Sequence, residues 1–484
     1  MADKADVSTP SPSIAELESK RELTRAIISG TFGLRSHGTT YLPKHPAEDE
    51  AVYKVRLSKT FLDNFVDLAI QKANGKLFAK EIKVEELPPE IETLVENIDR
   101  QGRALDPFIM DVSKQAFEDG ISFVMVDMPK VEGAATLADE KQMGVRPYAI
   151  HVKPQNVLET LSEMIGGVET LTRVRIMELV SEPVGWGYSV AEQVRVWYRE
   201  NGAVRWETYR PTNDQRKEWV LHDEGVTTFK EIYLIPFYTN RTGFMEGLPP
   251  FQNIAESTLE HWQWKSEHAH ALSMCCFGMY TATGVPSDFT LAVGPAKSLT
   301  TSNENARFGV LETTGAGVTL AANTLKEIES RIETAGVNLR VENAGKVTAT
   351  AAAIDSEDTN AGLKAVASGF SDSVEALFAA FADILGIDAS KAEAEVNTDF
   401  GVKKGSDVGL AELGKLRALG DISRPKLLDE YKRRGELSED FDLDVNEEEL
   451  SQEGPSLGDL PPAPPKPKTK TIKKTADGFQ MTEA

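Results

Sequence analysis

The chain has 484 residues, 40% of them hydrophobic, with 53 Lys+Arg against 76 Asp+Glu and a formal net charge of −23. Its length allows two or three packed layers or domains at the usual ~100–200 residues each. The acidic balance disfavours a basic groove that wraps nucleic acid by neutralising phosphates, so any DNA contact is expected to be local or transient.

A Ser/Pro/Asp-rich leader, residues 1–13, is expected to be mobile. Ser13 and Glu16 have capping-box spacing and predict a helix running through Ile28. Leu57, Phe61, Phe65 and Leu68 recur at helical spacing, with Gly75 where a C-cap glycine belongs, and predict a second. A third runs from Asp106-Pro107 to Gly120 and leads into an apolar β-type run over 121–129. From about 146 to 238 the segments YAIHV, RVRIMELV, QVRVWYRE, VRWETYR and EIYLIPFY predict short strands, with Asn201-Gly202 as a hairpin turn.

Helical pattern returns over Phe251–Cys276, and short strands are expected near 308–320. Leu325–Leu339 reads as helix, 343–353 as a small-residue flexible segment, and Asp355–Leu385 as a long helix. On that helix Val366, Phe370, Val374, Leu377, Phe381 and Ile384 form an apolar stripe that needs a covering neighbour. A helical pair is expected over 407–434, then an acidic stretch and a Pro/Lys-rich tail expected to be disordered.

Chemistry-bearing motifs are sparse. Cys275 and Cys276 are adjacent, so they cannot staple distant segments or supply a spaced metal-ligand set, which suits a reducing folding environment. The leader lacks a basic region followed by an apolar core, and no run is expected to reach the ~18 apolar residues of a membrane span. His261 and His268 share a helix face, but His268 and His270 diverge and no carboxylate or cysteine completes a ligand set. No stretch fits G-x-x-x-x-G-K-[ST], no strand leads into G-x-G-x-x-G, and no G-x-S-x-G elbow occurs. Asp127, at the end of a strand-like run, lacks a catalytic partner in sequence. No cofactor and no enzymatic activity are expected. Lys466, Lys468, Lys470, Lys473 and Lys474 form the one dense basic patch, read either as a solvated tail or as a contact to DNA or an acidic partner.

Five segments, taken in order, carry a family resemblance: YKVRLSKTFLDNFVDLAIQKANGKLF (53–78), DPFIMDVSKQAFEDGISFVMVDMP (106–129), RPYAIHVKPQNVLE (146–159), LIPFYTNRTGFMEGLPPFQNIAESTLEHWQWKSEHAHAL (234–272) and LRALGDISRPKLLDEYKRRGELSEDFDLD (416–444). In these the chain resembles the portal proteins of tailed bacteriophages over most of 15–450. The resemblance implies a mixed α+β portal fold, with an α/β wing, helical stem, β-containing clip and helical crown, in a cyclic ring of about twelve copies.

The expected divisions are a wing over 14–159, a β-rich region with the clip over 160–245, a stem helix over 246–280, a second wing part over 281–404, a crown over 405–450 and a tail over 451–484. A channel loop is expected near 343–353, with Asn343, Gly345, Lys346, Thr348 and Thr350 as candidate residues. Implied partners are other copies of the chain, double-stranded DNA passing without sequence specificity, the terminase large subunit, head-completion or adaptor proteins, and major capsid and scaffolding proteins. No membrane partner is implied. The implied place is the virion, at the capsid vertex, and the host cytoplasm during assembly. The alternatives are another non-catalytic virion component, such as a minor capsid or adaptor protein, or an α/β enzyme.

Overall fold

The computed structural model describes residues 6–129, 145–212, 218–277, 279–285, 303–311, 315–335, 349–400, 407–433, 437, 441, 445–446, 471–475 and 478–482. They fall into two compact units, 1–400 and 401–484.

The first unit opens with α1 (Pro12–Ile28), capped by Ser11, whose Oγ accepts from the Ile14 amide at 3.4 Å. The cap lies two residues before the expected Ser13. The leader is also more ordered than expected: Ser11 N donates to Leu158 O at 2.8 Å, and Arg175 Nη1 donates to Val7 O at 2.6 Å. After α2 (Gly30–Ser36), the single helix predicted around Leu57–Leu68 is two, α3 (Glu50–Lys59) and α4 (Phe65–Leu77), with Asn64 capping the second through Asp67 N at 3.1 Å. The predicted stripe is not the buried face. Phe61 and Leu68 are exposed, whereas Val66, Ala69, Ile70, Ala73 and Leu77 are buried, and Gly75 lies inside α4. The small Ala residues let α4 approach its neighbours closely, a signal that a search for large apolar residues passes over.

Strand β1 (Lys83–Glu85) and α5 (Pro89–Val95) lead to α6 (Leu105–Asp119). Gly120 ends α6 at φ +86°, a left-handed cap that glycine adopts without penalty, and the chain enters β2 (Ile121–Asp127), buried at every residue. A Cβ on Gly120 would lie 2.1 Å from Leu248 O, so the close passage of two backbones also requires glycine.

Next come β3 (Tyr148–Val152), β4 (Val157–Ile165), β5 (Val168–Val184), β6 (Gly187–Glu200), β7 (Ala203–Pro211), β8 (Trp219–Val226) and β9 (Leu234–Tyr238). Two antiparallel sheets result, a three-stranded one in the order β3-β2-β9 and a five-stranded meander β4-β5-β6-β7-β8. The expected 160–245 region is therefore divided, because β9 completes the sheet around β2 and only β4 to β8 form the meander. Gly166-Gly167 and Asn201-Gly202 make two-residue turns with positive φ, as hairpins with right-twisted strands require. A short hairpin, β10 (Arg241–Gly243) with β11 (Glu246–Gly247), follows.

The rest of the unit is α7 (Gln252–Phe277), β12 (Met279–Thr283), β13 (Arg307–Leu311), α8 (Ala316–Ala335), α9 (Ala349–Leu385) and β14 (Glu393–Glu395), which pairs with β1. Two expected boundaries move. Helix α8 starts at Ala316 rather than Leu325, and α9 starts at Ala349, which puts Thr350 in a helix rather than a loop. The apolar stripe of α9 also needs no second chain: Phe370, Val374, Leu377 and Phe381 are fully buried, Phe237 of β9 meets Phe370 edge-on with ring centroids 5.5 Å apart, and Ser373 Oγ donates to Pro236 O at 2.9 Å. Contrary to expectation, Ala361–Leu385 is long and apolar enough to cross a membrane by length and composition, but these contacts are those of a core helix.

In the second unit, α10 (Asp407–Leu419) and α11 (Arg424–Arg433) form the expected helical pair, joined through Gly420 at φ +86°. Strands β15 (Thr471–Thr475) and β16 (Gly478–Thr482) pair as a hairpin, so the tail is not wholly without structure, and Lys473 and Lys474 lie in β15.

Candidate assembly surfaces

The structure brings no catalytic constellation together at the residues the sequence singled out. Asp127, buried at the end of β2, faces Arg195 Nη1 of β6 at 3.4 Å, and Arg195 Nε lies 2.9 Å from Glu178. Burial pushes the Asp127 carboxyl above its ordinary range, opposed by Arg195. The pair ties the two sheets together. Ser122 Oγ and His151 Nε2 lie 2.9 Å apart, a Ser–His contact that sequence spacing did not flag because it crosses two strands. Ser122 is completely buried, so the contact satisfies two polar groups inside a sheet and offers no nucleophile to a substrate. His261 is buried on α7, with Nε2 3.2 Å from Glu329 Oε1 and Nδ1 3.8 Å from Asp63 Oδ2. Among the described residues no group of three His, Cys, Asp or Glu could hold a metal ion.

Two exposed constructions stand out instead. The first is the pair α7 and α8. Glu260–Arg331 at 2.5 Å and His261–Glu329 at 3.2 Å link them at one end, while β12 and β13 connect them at the other, so they run antiparallel. At 1.5 Å per residue the 26 residues of α7 span about 39 Å. Its first part is bolted to the body by Gln263 Nε2 to Tyr41 O at 2.7 Å, Lys265 to Asp63 at 2.5 Å and Arg56 to Glu267 at 3.2 Å. Further along, the pair loses its cover: Leu272 on α7, Leu320 on α8 and Phe308 on β13 are exposed, and Cys276 is exposed as well. At this end of the pair β12 and β13 lie antiparallel, and the apolar side chains of Leu272, Leu320 and Phe308 are open to solvent.

The second is the β5–β6 hairpin. Its inner part is core, with Val174, Ile176, Val194 and Trp197 buried. Beyond Glu178 and Gln193 both faces become solvent-facing, and Leu179, Val184, Tyr188 and Val190 are exposed around a Gly185-Trp186 turn whose indole is entirely open. The arm has no Lys or Arg between Ile176 and Val194. Exposed aromatic and aliphatic residues on a protruding arm are the composition of a contact surface.

Of the candidate channel-loop residues, Asn343, Gly345, Lys346 and Thr348 lie outside the described residues, between α8 and α9, and Thr350 lies in the first turn of α9. Lys466, Lys468 and Lys470 also lie outside them. The hairpin arm and the α7–α8 column were partly legible in sequence, as strands and helices, but which of their apolar residues stay exposed was not.

The model of a family described as a domain of unknown function (DUF4055) matches residues 250–384. That stretch coincides with α7, β12, β13, α8 and α9 to within two residues at each end. A comparison with curated proteins gives no match. Among solved structures, the chain is similar to one from the virion of a native gene transfer agent particle, at 11% identity and TM-score 0.38, covering 83% of this chain and 98% of that one. It is similar to one from the neck of the native particle, at 11% identity and TM-score 0.36, covering 81% and 96%. A third, from the neck of the empty particle, gives 12% identity and TM-score 0.36, covering 74% and 86%.

Proposed function

We propose that this chain is a portal subunit: about twelve copies close into a ring at one vertex of a phage-like particle, and DNA enters and leaves through the central channel. The observation that carries the reading is the α7–β12–β13–α8 column, taken with the ordered resemblance of five sequence segments. A long helix leaves the body, turns through a β-hairpin and returns as a second helix, with apolar residues left outward at its far end. Side-by-side copies would bury those residues, which a single chain cannot.

On this reading the column is the stem and the β12–β13 end is the clip, which assigns the clip to the end of two antiparallel helices rather than to 160–245. The connection between α8 and α9, with Asn343, Gly345, Lys346 and Thr348, faces the channel. Helices α10 and α11 make the crown. The meander β4 to β8 belongs to the wing, and its β5–β6 arm reaches a neighbouring virion protein. Terminase, head-completion and adaptor proteins dock at the clip, while capsid and scaffolding proteins meet the wing. The DNA contact is non-specific and sparse, as the acidic composition requires: a polyanion slides past a surface that holds it weakly.

Negative-stain electron microscopy of the purified chain tests this. Rings with a central hole wide enough for a duplex are expected; a field of single compact particles at all protein concentrations contradicts it.

A further inference from the structure

Two exposed surfaces of the first unit flank α7 and differ in charge. One is a shoulder made by α2, α3 and the start of α4. There Arg35 donates through Nε and Nη2 to Thr60 O at 3.2 and 2.8 Å, and its guanidinium lies over the Phe61 ring at 4.7 Å and the Phe32 ring at 5.8 Å. Both rings are open to solvent, Phe32 at 81% and Phe61 at 59%, and Val52 and Val55 of α3 are exposed as well. The shoulder is basic in an acidic chain: residues 51–80 hold six Lys or Arg and two Asp. The other surface is the outer face of α8. Leu320 and Glu327 are exposed there and, seven residues apart, share one face at a spacing of about 10 Å along the axis. Together α7 and α8 hold six Glu against three Lys or Arg.

The fold puts these surfaces where head-to-tail neighbours need them. His261 of α7 turns Nδ1 toward Asp63, just beyond Phe61, and Nε2 toward Glu329 of α8. The two nitrogens of an imidazole point nearly opposite ways, so the shoulder and α8 lie on opposite flanks of α7. They also lie at one height. The pairs Glu260–Arg331 and His261–Glu329 set the antiparallel register, which brings Glu267 level with about Asn323 of α8, and Glu267 pairs with Arg56 of α3, next to Val55. Copies related by rotation about an axis along the column have no rise between them, so a shoulder at this height faces Leu320–Glu327 of its neighbour.

We infer that the junction between neighbouring copies is heterologous: the Phe32–Arg35–Phe61 shoulder of one copy receives the Leu320–Glu327 face of α8 of the next. Arg35 Nη1, which has no partner among the described residues, takes the Glu327 carboxylate, and Leu320, two turns away, reaches the exposed valines of α3. The guanidinium needs little ordering for this, because Thr60 and the two rings already fix its plane. Opposite charge favours shoulder on α8 and disfavours shoulder on shoulder or α8 on α8, so the junction has a direction, as closing a ring requires. The inference rests on the ring reading and adds to it which surfaces meet.

Photocrosslinking of the full-length chain tests it, with Phe32 replaced by p-benzoylphenylalanine and irradiation at a concentration where the native chain assembles. Phe32 is exposed, so the change leaves the fold intact. A chain-to-chain adduct is expected within α8, around Glu327. In parallel, Glu327→Arg sets like charge against Arg35 and raises the concentration needed for assembly at least about tenfold, whereas Glu256→Arg, a reversal at an exposed glutamate of α7, leaves it within about twofold. An adduct elsewhere or none, Glu327→Arg assembling as the native chain does, or an equal effect of Glu256→Arg overturns this inference and leaves the ring reading standing. A native chain that never assembles overturns both.

Discussion

Several residues hold the first unit together by contacts that no local pattern announces. Gly120 was legible, since a glycine between a helical and a strand pattern is a helix stop, but its second role, the passage of Leu248, comes from a distant segment. Gly120→Ala combines a left-handed backbone with a backbone clash, and we expect a loss of about 3 kcal/mol or more in denaturant unfolding; a loss under about 1 kcal/mol would show that the two segments separate easily. Arg56 is similar. Buried, it donates to Glu48 at 2.9 and 2.8 Å and to Pro43 O at 2.8 Å, and its hydrogen bonds hold the Glu48 carboxyl down at about 2. Burial lowers His151 to about 4. Both shifts are downward, so in both cases the unfolded chain takes up protons before the folded one does. The His151 contribution is complete above its ordinary value of 6.5 and is lost as pH falls toward 4; that of Glu48 is complete above 4.5 and is lost toward 2. The melting temperature is therefore expected to be level above about pH 6.5 and to fall in two stages below it, with Glu48→Gln reducing the lower stage, to which Glu18, Asp99 and Glu159, whose carboxyls are also lowered, contribute as well. A melting temperature unchanged down to pH 4 would contradict the burial of His151.

At the scale of elements, the three central strands of the meander, β5 to β7, and most helices could be read from period and punctuation, whereas its outer strands β4 and β8 were not. Asn201-Gly202, the β2 run and the α10–α11 pair stand where pattern puts them. What pattern misses is what an apolar stripe faces. The α9 stripe, Phe370 to Phe381, looks on sequence like a surface waiting for another chain, yet β9 covers it from more than a hundred residues away in sequence. Leu272 and Leu320 look unremarkable in sequence and are the ones left open. This difference yields a test. Leu320→Glu or Leu272→Glu changes an exposed position and should alter the stability of the isolated chain by no more than about 0.5 kcal/mol, while abolishing assembly, because a carboxylate cannot be buried without a partner. Loss of folding in both variants would place these residues in the core; undisturbed assembly would remove the column from the interface.

For the whole molecule, composition excluded a strongly basic nucleic-acid binder and found no nucleotide loop, and the order of five segments suggested a ring-forming subunit. Symmetry is the part no single chain displays, since a heterologous surface closes into a ring only when neighbours meet at the right rotation. Four of the five candidate channel residues, Asn343, Gly345, Lys346 and Thr348, fall in sequence between α8 and α9, and the fifth, Thr350, is in α9. The mass of the native protein in solution, measured by light scattering across a range of concentrations, tests the central claim most directly. A discrete species near about twelve times the 53.0 kDa chain, lost in Leu320→Glu, is the predicted result; a 53.0 kDa monomer that persists at the highest concentration contradicts it.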